Sequence, residues 1–252
     1  MRVFILPQDP PFGKFIDLEA EDHHYLARVR RVKAGDRFPG RDRLGGRWLC
    51  TVVSVGPSSL RLSLEKEVST AGHESHSIHL IQCLPKAAKM DLIVRQATEA
   101  GVGRVMPVHS RFSQVRLREE PEKKLERWRR IARQATQQSG ADRPPDIEAP
   151  RELESLLRDL DEIQDDEARL FFHQDRESAD TLHRCLSKNV KIITLVVGPE
   201  GGLSREEVEL LRTTSFVPIT FGDTVLRTET AALYAVAAVQ IVMHERNAWE
   251  PT

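Results

Sequence analysis

Residues 195–207 read Leu-Val-Val-Gly-Pro-Glu-Gly-Gly-Leu-Ser-Arg-Glu-Glu. This pattern predicts an apolar strand that breaks into a glycine-rich turn and restarts as a helix, with Ser204 and Glu207 at the spacing of a capping box. Glycines at the carboxyl end of a strand let the backbone approach a ligand closely and point N–H groups at it. The turn lacks the Gly-x-Gly-x-x-Gly and Gly-Lys-Ser/Thr motifs, which argues against dinucleotide and triphosphate binding. The carboxylate of Glu200 favours a ligand with positive charge, although a purely structural turn is the alternative.

The same alternation of strand and helix extends over the chain from residue 78 onward. Apolar segments predict the strands, and amphipathic segments predict the helices that follow them. The expected pairs are 78–84 with 89–100, 105–108 with 121–139, 170–172 with 178–186, 192–197 with a helix from 204, and 217–221 with the final helix. This spacing is typical of an α/β fold with a parallel sheet covered on both faces, which binds ligands at the carboxyl ends of its strands.

Residues 1–70 show short strands separated by glycine and proline turns. Strands are expected at 3–6, 47–55 and 60–64, with one helix near 21–32, and together they predict a small β-barrel. Residues 68–77 lack apolar periodicity and indicate a linker. The expected organisation is a first domain over 1–70, a linker over 71–77 and a second domain over 78–252.

Charge is segregated along the chain, although 37 basic and 38 acidic side chains leave a net charge of −1. Residues 28–47 carry eight basic and two acidic residues, whereas residues 146–180 carry thirteen acidic residues and four arginines. Arginine-rich patches on a near-neutral protein favour a polyanion such as nucleic acid, because guanidinium binds phosphate bidentately. A solvated charged surface is the alternative interpretation.

The composition argues against several classes of protein. No apolar stretch reaches the roughly 20 residues of a membrane span, and Pro7 interrupts the N-terminal apolar run before it could form a signal peptide. We therefore expect a cytoplasmic protein. Its three cysteines are far apart and its histidines are scattered, so neither a disulfide nor a metal site is expected.

A second candidate loop reads Phe-Gly-Asp-Thr-Val-Leu-Arg-Thr-Glu-Thr-Ala-Ala over residues 221–232. Its three threonine hydroxyls and Glu229 are more polar groups than a helix cap requires. The helix that follows is apolar nearly all round, which predicts burial against its own sheet, with a second subunit as a further candidate to cover it.

Together the two loops resemble those of the ribosomal RNA small-subunit methyltransferase E family, the uridine N3 methyltransferases of the SPOUT superfamily. The residues that carry the resemblance are Gly-Pro-Glu-Gly-Gly at 198–202 and Leu-Arg-Thr-Glu-Thr-Ala at 226–231. Further matches are His24 with 29–31 and 35–36, Lys86, Glu99 with Gly101, Arg111, and 134–135 with 138–140. The chain departs from the family pattern at three places: Arg30 replaces leucine, Ala100 interrupts Glu-Leu-Gly, and Ala141-Asp142 follow Gly140 in place of arginine.

The resemblance implies an N-terminal PUA-like β-barrel that helps to hold RNA and a C-terminal SPOUT-type parallel sheet with a trefoil knot. It implies a homodimer that uses S-adenosyl-L-methionine, without a metal, to methylate N3 of a specific uridine in 16S-type ribosomal RNA. The partners expected are therefore ribosomal RNA or the small ribosomal subunit, and no membrane.

Three groups of site residues follow from the resemblance and from the charge pattern. Those expected to enclose the cofactor are His173, Leu195, Val197, Gly198, Glu200, Gly201, Gly202, Phe221, Gly222, Val225, Leu226, Thr228 and Ala231. Those expected to orient the target or relay its proton are Glu229, Arg227 and Arg111. Those expected to bind RNA are Arg28, Arg30, Arg31, Arg41, Arg43, Arg47, Arg127, Arg130, Arg133 and Gln138.

Other functions stay open from sequence alone. The target could be another RNA such as transfer RNA, or the chain could be a noncatalytic RNA-binding or assembly factor that need not bind S-adenosylmethionine. A small-molecule hydrolase is a weaker alternative, since the Gly-x-Ser-x-Gly elbow is absent.

The basic residues give a first testable prediction. If arginines such as Arg28, Arg30 and Arg31 bind phosphates, RNA affinity should fall steeply with salt, and replacing them together by alanine should flatten that slope. Filter binding over a salt series measures the slope, and an unchanged slope in the triple variant would contradict the interpretation.

Overall fold

The computed structural model describes residues 3–7, 13–42, 46–67, 76–86, 89–113, 121–141, 143–160, 162–173, 180–186, 190–220 and 222–245. Contacts divide the chain into two compact units. The first combines Met1–His73 with Arg133–Pro144, and the second combines Glu74–Ala132 with Pro145–Thr252. The segment Arg133–Pro144 was assigned to the second domain by sequence, and the domain bounds of 70 and 77 stay predictions.

The first unit contains a five-stranded sheet, and the described part of its N-terminal segment adds one helical segment. Its elements are β1 (Phe4–Ile5), β2 (Phe15–Glu19), α1 (Ala20–His23) continuing as a π-helical segment (His24–Val29), β3 (Arg37–Arg41), β4 (Arg47–Val55) and β5 (Ser59–Lys66). The strand order is β1-β3-β4-β5-β2, with β1 parallel to β3 and the other pairs antiparallel. Alternate residues Leu60, Leu62 and Leu64 of β5 face the core of this unit, as their spacing predicts.

Two strands of this sheet were not predicted. Strand β3 contains Pro39 and Gly40, which are both poor strand formers. Strand β2 alternates buried Ile16 and Leu18 with exposed neighbours, a pattern too short to stand out beside the helix that follows it. The predicted bounds of β4 are confirmed, and the predicted helix begins one residue early, at Ala20, and ends at Val29.

The second unit follows the predicted alternation of strands and helices. Its elements are β6 (Ser77–Cys83), α2 (Lys89–Glu99), β7 (Arg104–His109), α3 (Pro121–Ser139), β8 (Asp146–Ile147), β9 (Arg151–Glu152), α4 (Leu153–Arg158), β10 (Glu167–Phe172), α5 (Leu182–Cys185), β11 (Ile192–Val197), α6 (Arg205–Thr213), β12 (Val217–Ile219) and α7 (Thr228–Glu245). The last part of α3, from Arg133, belongs to the first unit.

These strands form one parallel sheet in the order β12-β10-β11-β6-β7-β8, with β9 also paired to β7. Successive residues point to opposite faces, so Leu80 and Leu195 pack on one core while Ile81 and Val196 pack on another. Residues of α2, α3 and α7 cover the first face, and residues of α4 and α6 cover the second. The prediction of a parallel sheet covered on both faces is confirmed.

Some local predictions differ from the structure. Helix α5 begins at Leu182 rather than 178, because the Thr181 side chain caps it and Asp180 pairs as a β-bridge with Ile219. Residues 174–179, and most of the predicted linker, lie outside the described residues. Strands β8 and β9 and helix α4 were not predicted, since they are short. In the described part of the chain, no helix has the length and apolar character that crossing a membrane requires.

The central position of β6 predicts that its core side chains carry much of the stability. Leu80 is fully buried, so Leu80→Ala should lower the free energy of unfolding by about 2–5 kcal/mol. Leu92 on α2 is 37% exposed, so Leu92→Ala is the matched control and should cost much less. Urea unfolding measures both, and equal losses would contradict the assignment of Leu80 to the core.

Candidate functional site

The glycine turn lies where β11 ends, between Gly198 and Gly202. The N–H of Gly202 donates to the carbonyl of Pro199 at 2.9 Å, and Gly202 has a φ of 74°, which favours glycine. A Cβ atom at Gly198 would lie 3.3 Å from the backbone carbon of Gly202. The turn therefore folds back on itself, so a side chain at Gly198 would be tight against the backbone, whereas at Gly202 the positive φ and not the space favours glycine.

The loop after β7 packs directly on this turn. A Cβ atom at Gly201 would lie 2.8 Å from the Cβ of Phe112, so only glycine allows this approach. The backbone N–H of Arg111 donates to Glu207 Oε1 at 2.7 Å, while the N–H of Ser204 donates to Glu207 Oε2 at 2.8 Å. The predicted capping box of α6 is confirmed, and its carboxylate also fixes the loop that carries Arg111.

A buried hydrogen-bond network joins the glycine turn to the start of α7. The hydroxyl of Thr228 donates to the carbonyl oxygen of Gly198 at 2.7 Å and accepts from Gln82 Nε2 at 3.1 Å. The same Nε2 donates to the carbonyl of Cys83 at 2.9 Å. Because Gln82 is fully buried at the end of β6, this network connects the ends of two neighbouring strands to α7.

A half-buried ionic bridge joins the same two segments. Lys89, at the start of α2, places its Nζ 2.8 Å from Glu200 Oε1 and 3.2 Å from Glu229 Oε2. The Oε2 atom of Glu229 is buried and makes no hydrogen bond of regular geometry with described residues. Its attraction to the Lys89 ammonium offsets the cost of burying it. We call these three side chains the Lys89 bridge.

Glu200 and Lys89 favour each other's charged form. Burial alone would raise the pKa of Glu200, but hydrogen bonds from Lys89 and from backbone N–H groups outweigh it and lower the pKa. The hydrogen bond to Glu200 raises the pKa of Lys89. A lowered carboxyl pKa stabilises the fold above the carboxyl's ordinary pKa, and a raised ammonium pKa does so below the ammonium's ordinary pKa. The bridge is therefore lost only in acid, where Glu200 is protonated, or in strong alkali.

The structure places the residues expected at the cofactor in three environments. Leu195 and Val197 are core side chains, so they can offer only backbone groups, and Thr228 is 4% exposed and belongs to the buried network. Ala231 packs against the core, and the N–H of His173 donates to the Ile219 carbonyl beside β12. The remaining ones are near the surface: Gly198, Glu200, Gly201, Gly202, Gly222, Val225 and Leu226. Phe221 lies outside the described residues.

The three residues expected to act on the target differ in their surroundings. Glu229 is held in the Lys89 bridge, and its side chain is 15% exposed. Arg227, directly before α7, is exposed, and so is Arg111 next to the glycine turn. The structure thus joins Glu229 to Glu200 and fixes the loop of Arg111 to the helix that follows the turn.

The residues expected to bind RNA fall into two groups by the exposure and the contacts of their side chains. Arg28, Arg30, Arg31, Arg130 and Gln138 are exposed. The others have internal roles or less exposure. Arg41 is 9% exposed, Arg47 is half-buried, Arg127 pairs with Asp91, and Arg133 pairs with Asp22 at 2.7 Å and donates to the Ile5 carbonyl. Arg43 lies outside the described residues.

Sequence reasoning missed Gln82 and Lys89. An amide inside the apolar run 78–84 is a signal, because a buried polar side chain requires hydrogen-bond partners. Lys89 gives no such signal, since a lysine in the first turn of a helix is usually exposed. In the described part of the chain, no three His, Cys, Asp or Glu side chains come together as a metal site would require.

The Thr228 hydroxyl should contribute measurably to the free energy of unfolding. Thr228→Val keeps the volume but removes the donor to the Gly198 carbonyl and leaves the Gln82 amide with only the Cys83 and Val197 carbonyls, so it should lower the free energy of unfolding by about 1–3 kcal/mol. Thr228→Ser keeps the hydroxyl and is the control. Thermal and urea unfolding measure the difference, and equal stability of the valine and serine variants would contradict the role of the network.

Family models and curated relatives match nearly the whole chain. A family model described as an RNA methyltransferase domain matches residues 73–240, and one described as an RNA methyltransferase PUA domain matches residues 18–65. The chain is 33% identical over 229 residues to the ribosomal RNA small subunit methyltransferase E of Aquifex aeolicus, covering 90% of this chain and 92% of that protein. It is 27% identical over 246 residues to the enzyme of that name from Mycobacterium tuberculosis, covering 95% and 91%.

Solved structures give the same result. The ribosomal RNA small subunit methyltransferase E of Neisseria gonorrhoeae, bound to S-adenosyl methionine, matches with a TM-score of 0.83 and 27% identity over 96% of this chain and 98% of that one. A Legionella pneumophila methyltransferase in complex with the same cofactor matches with a TM-score of 0.83 and 25% identity, over 96% and 97%. The matches extend over both units and both loops, and the chain belongs to the ribosomal RNA small subunit methyltransferase E family.

Proposed function

We propose that this protein transfers a methyl group from S-adenosylmethionine to N3 of a specific uridine in small-subunit ribosomal RNA. The observation that carries the proposal is the joining of the glycine turn and the α7 start at the carboxyl ends of parallel strands, where open α/β sheets bind ligands. The family of the chain and the cofactor bound in the Neisseria gonorrhoeae relative support it.

The residues at this site fit the cofactor. The backbone of residues 195–202 and 222–226 would enclose its adenosine and methionine parts, because glycines there leave N–H and C=O groups accessible. The oxygen Oε1 of the fully buried Gln82 has no partner among the described residues, so the site retains an unused acceptor. The carboxylates of Glu200 and Glu229 suit a ligand with positive charge.

The cofactor, when bound, supplies an electrophilic methyl group on a sulfonium. The protein must then align the uracil N3 with that methyl group and accept the N3 proton directly or through water. Glu229 is the proposed acceptor or relay, Arg227 the proposed orienting group, and Arg111 the proposed contact to phosphate or uracil carbonyls. Because Glu207 binds the backbone N–H of Arg111, the backbone from which this guanidinium extends is held in place.

The first unit is proposed to hold the RNA. The PUA match over residues 18–65 and the exposed Arg28, Arg30 and Arg31 support this role. Arg130 and Gln138 of α3 are also exposed and are proposed as further contacts. Arg133 already neutralises Asp22, so we assign it a smaller share of phosphate binding.

We further propose a homodimer in the cytoplasm. Helix α7 leaves Leu233, Tyr234 and Ile241 at 36%, 53% and 56% exposure, so it offers apolar area that a second copy could cover. The trefoil knot and the domain bounds of 70 and 77 are part of the same proposal.

Calorimetric titration with S-adenosylmethionine tests the proposed site first. Saturable binding is expected for the wild type and should be lost in Gly198→Val, since a side chain there meets the backbone of Gly202. Gly13→Val, where the nearest atom to an added Cβ is 3.7 Å away, is the control and should bind normally. No binding to the wild type, with or without RNA, would favour the noncatalytic alternative.

The substrate is tested next with the same protein preparations. Small ribosomal subunits and transfer RNA, both from cells lacking the enzyme, are incubated with the cofactor and digested to nucleosides. Mass spectrometry should detect 3-methyluridine from the ribosomal subunit and not from transfer RNA, and the reverse distribution would overturn the proposed substrate.

A further inference from the structure

The charges of the Lys89 bridge do not cancel. One ammonium faces two carboxylates, so the formal charges of the three side chains leave one net negative charge. The exposed fractions of the Lys89, Glu200 and Glu229 side chains are 32%, 25% and 15%. Water and salt therefore screen this excess charge only in part.

The neighbouring cations do not remove the excess. Lys86 and Arg227 are both exposed, so solvent screens their charges more strongly than those of the bridge. Lys86 approaches Glu200 through its backbone N–H, at 3.2 Å from Oε1. The bridge is thus a localised negative centre between the two loops.

Methyl transfer changes the charge of the molecule bound there. S-adenosylmethionine carries a sulfonium, an ammonium and a carboxylate, so its net charge is positive. During transfer the carbon–sulfur bond breaks, its electron pair stays on sulfur, the methyl group bonds to N3, and the N3 proton is released. The product, S-adenosylhomocysteine, is therefore neutral overall and differs from the cofactor by one positive charge and one methyl group.

We propose that the Lys89 bridge makes the site select the cationic cofactor over its neutral product, and that Lys89 sets the size of this preference. The inference rests on the proposed function, because it requires the cofactor to bind at these loops. Glu200 and Glu229 supply the attraction to the sulfonium charge, which the product lacks. Lys89 reduces that attraction by neutralising one of the two carboxylates, and it holds both carboxylates in place.

The test is the ratio of the dissociation constants of S-adenosylhomocysteine and S-adenosylmethionine, measured by calorimetry. Lys89→Met removes a positive charge and should raise the ratio roughly 5- to 15-fold, as expected for one unit charge acting over about 10 Å in a half-buried site. Glu200→Gln and Glu229→Gln remove a negative charge and should each lower the ratio by a similar factor. The double variant Lys89→Met with Glu200→Gln restores the net charge and should return the ratio near that of the wild type.

The ratio separates charge selection from a merely structural role. Damage to the loops weakens both ligands and leaves the ratio unchanged, and unfolded protein binds neither ligand. Arg95→Met removes an exposed cation from the same helix and is the matched control, with an expected ratio equal to that of the wild type. If Lys89→Met does not fold, Glu200→Gln and Glu229→Gln still test the sign.

Two results have different meanings. A wild type that binds neither ligand overturns the proposed function itself. A wild type that binds both, with ratios that are unchanged in the charge variants or move in the same direction for Lys89→Met and Glu200→Gln, overturns the charge selection alone.

Discussion

The hydrogen bond from Thr228 to the carbonyl of Gly198 is the constraint on which the rest of the site depends. It joins the end of β11 to the first residue of α7, and Gln82 completes it from the end of β6. Gln82 and Thr228 are inaccessible or nearly so, and a buried polar atom that loses its partner costs more than the bond contributed. Neither loop can move far without breaking this network.

The outer links of the site are made by carboxylates. Glu207 receives N–H groups from Ser204 and Arg111, and Glu200 receives the N–H of Lys86 and the ammonium of Lys89. These links are closer to solvent than the Thr228 network, so salt and pH act on them while the inner bonds stay in place. The site therefore combines a fixed inner frame with an outer layer whose strength depends on conditions.

Local signals explain what could be predicted from sequence. The bounds of β11 and the cap of α6 follow from an apolar run, a glycine turn and Ser204 with Glu207, all within a few residues. Thr228, which Gln82 bonds, and the two carboxylates that Lys89 pairs with lie more than a hundred residues away, so no local pattern reveals those contacts. The charge count identifies the basic residues in 28–47. It does not distinguish exposed Arg30 from buried Arg41, because burial depends on the tertiary fold.

The first unit is not continuous in the chain, because Arg133–Pro144 belongs with Met1–His73. Arg133 neutralises Asp22 and donates to the Ile5 carbonyl, so this segment contributes bonds inside that unit. On the ribosome, the first unit can therefore become complete only after residue 144 has left the exit tunnel, when β6, α2, β7 and the rest of residues 74–132 are already made. The order of synthesis thus couples the folding of the two units, and translation pauses within residues 74–132 would prolong the time that the first unit spends incomplete.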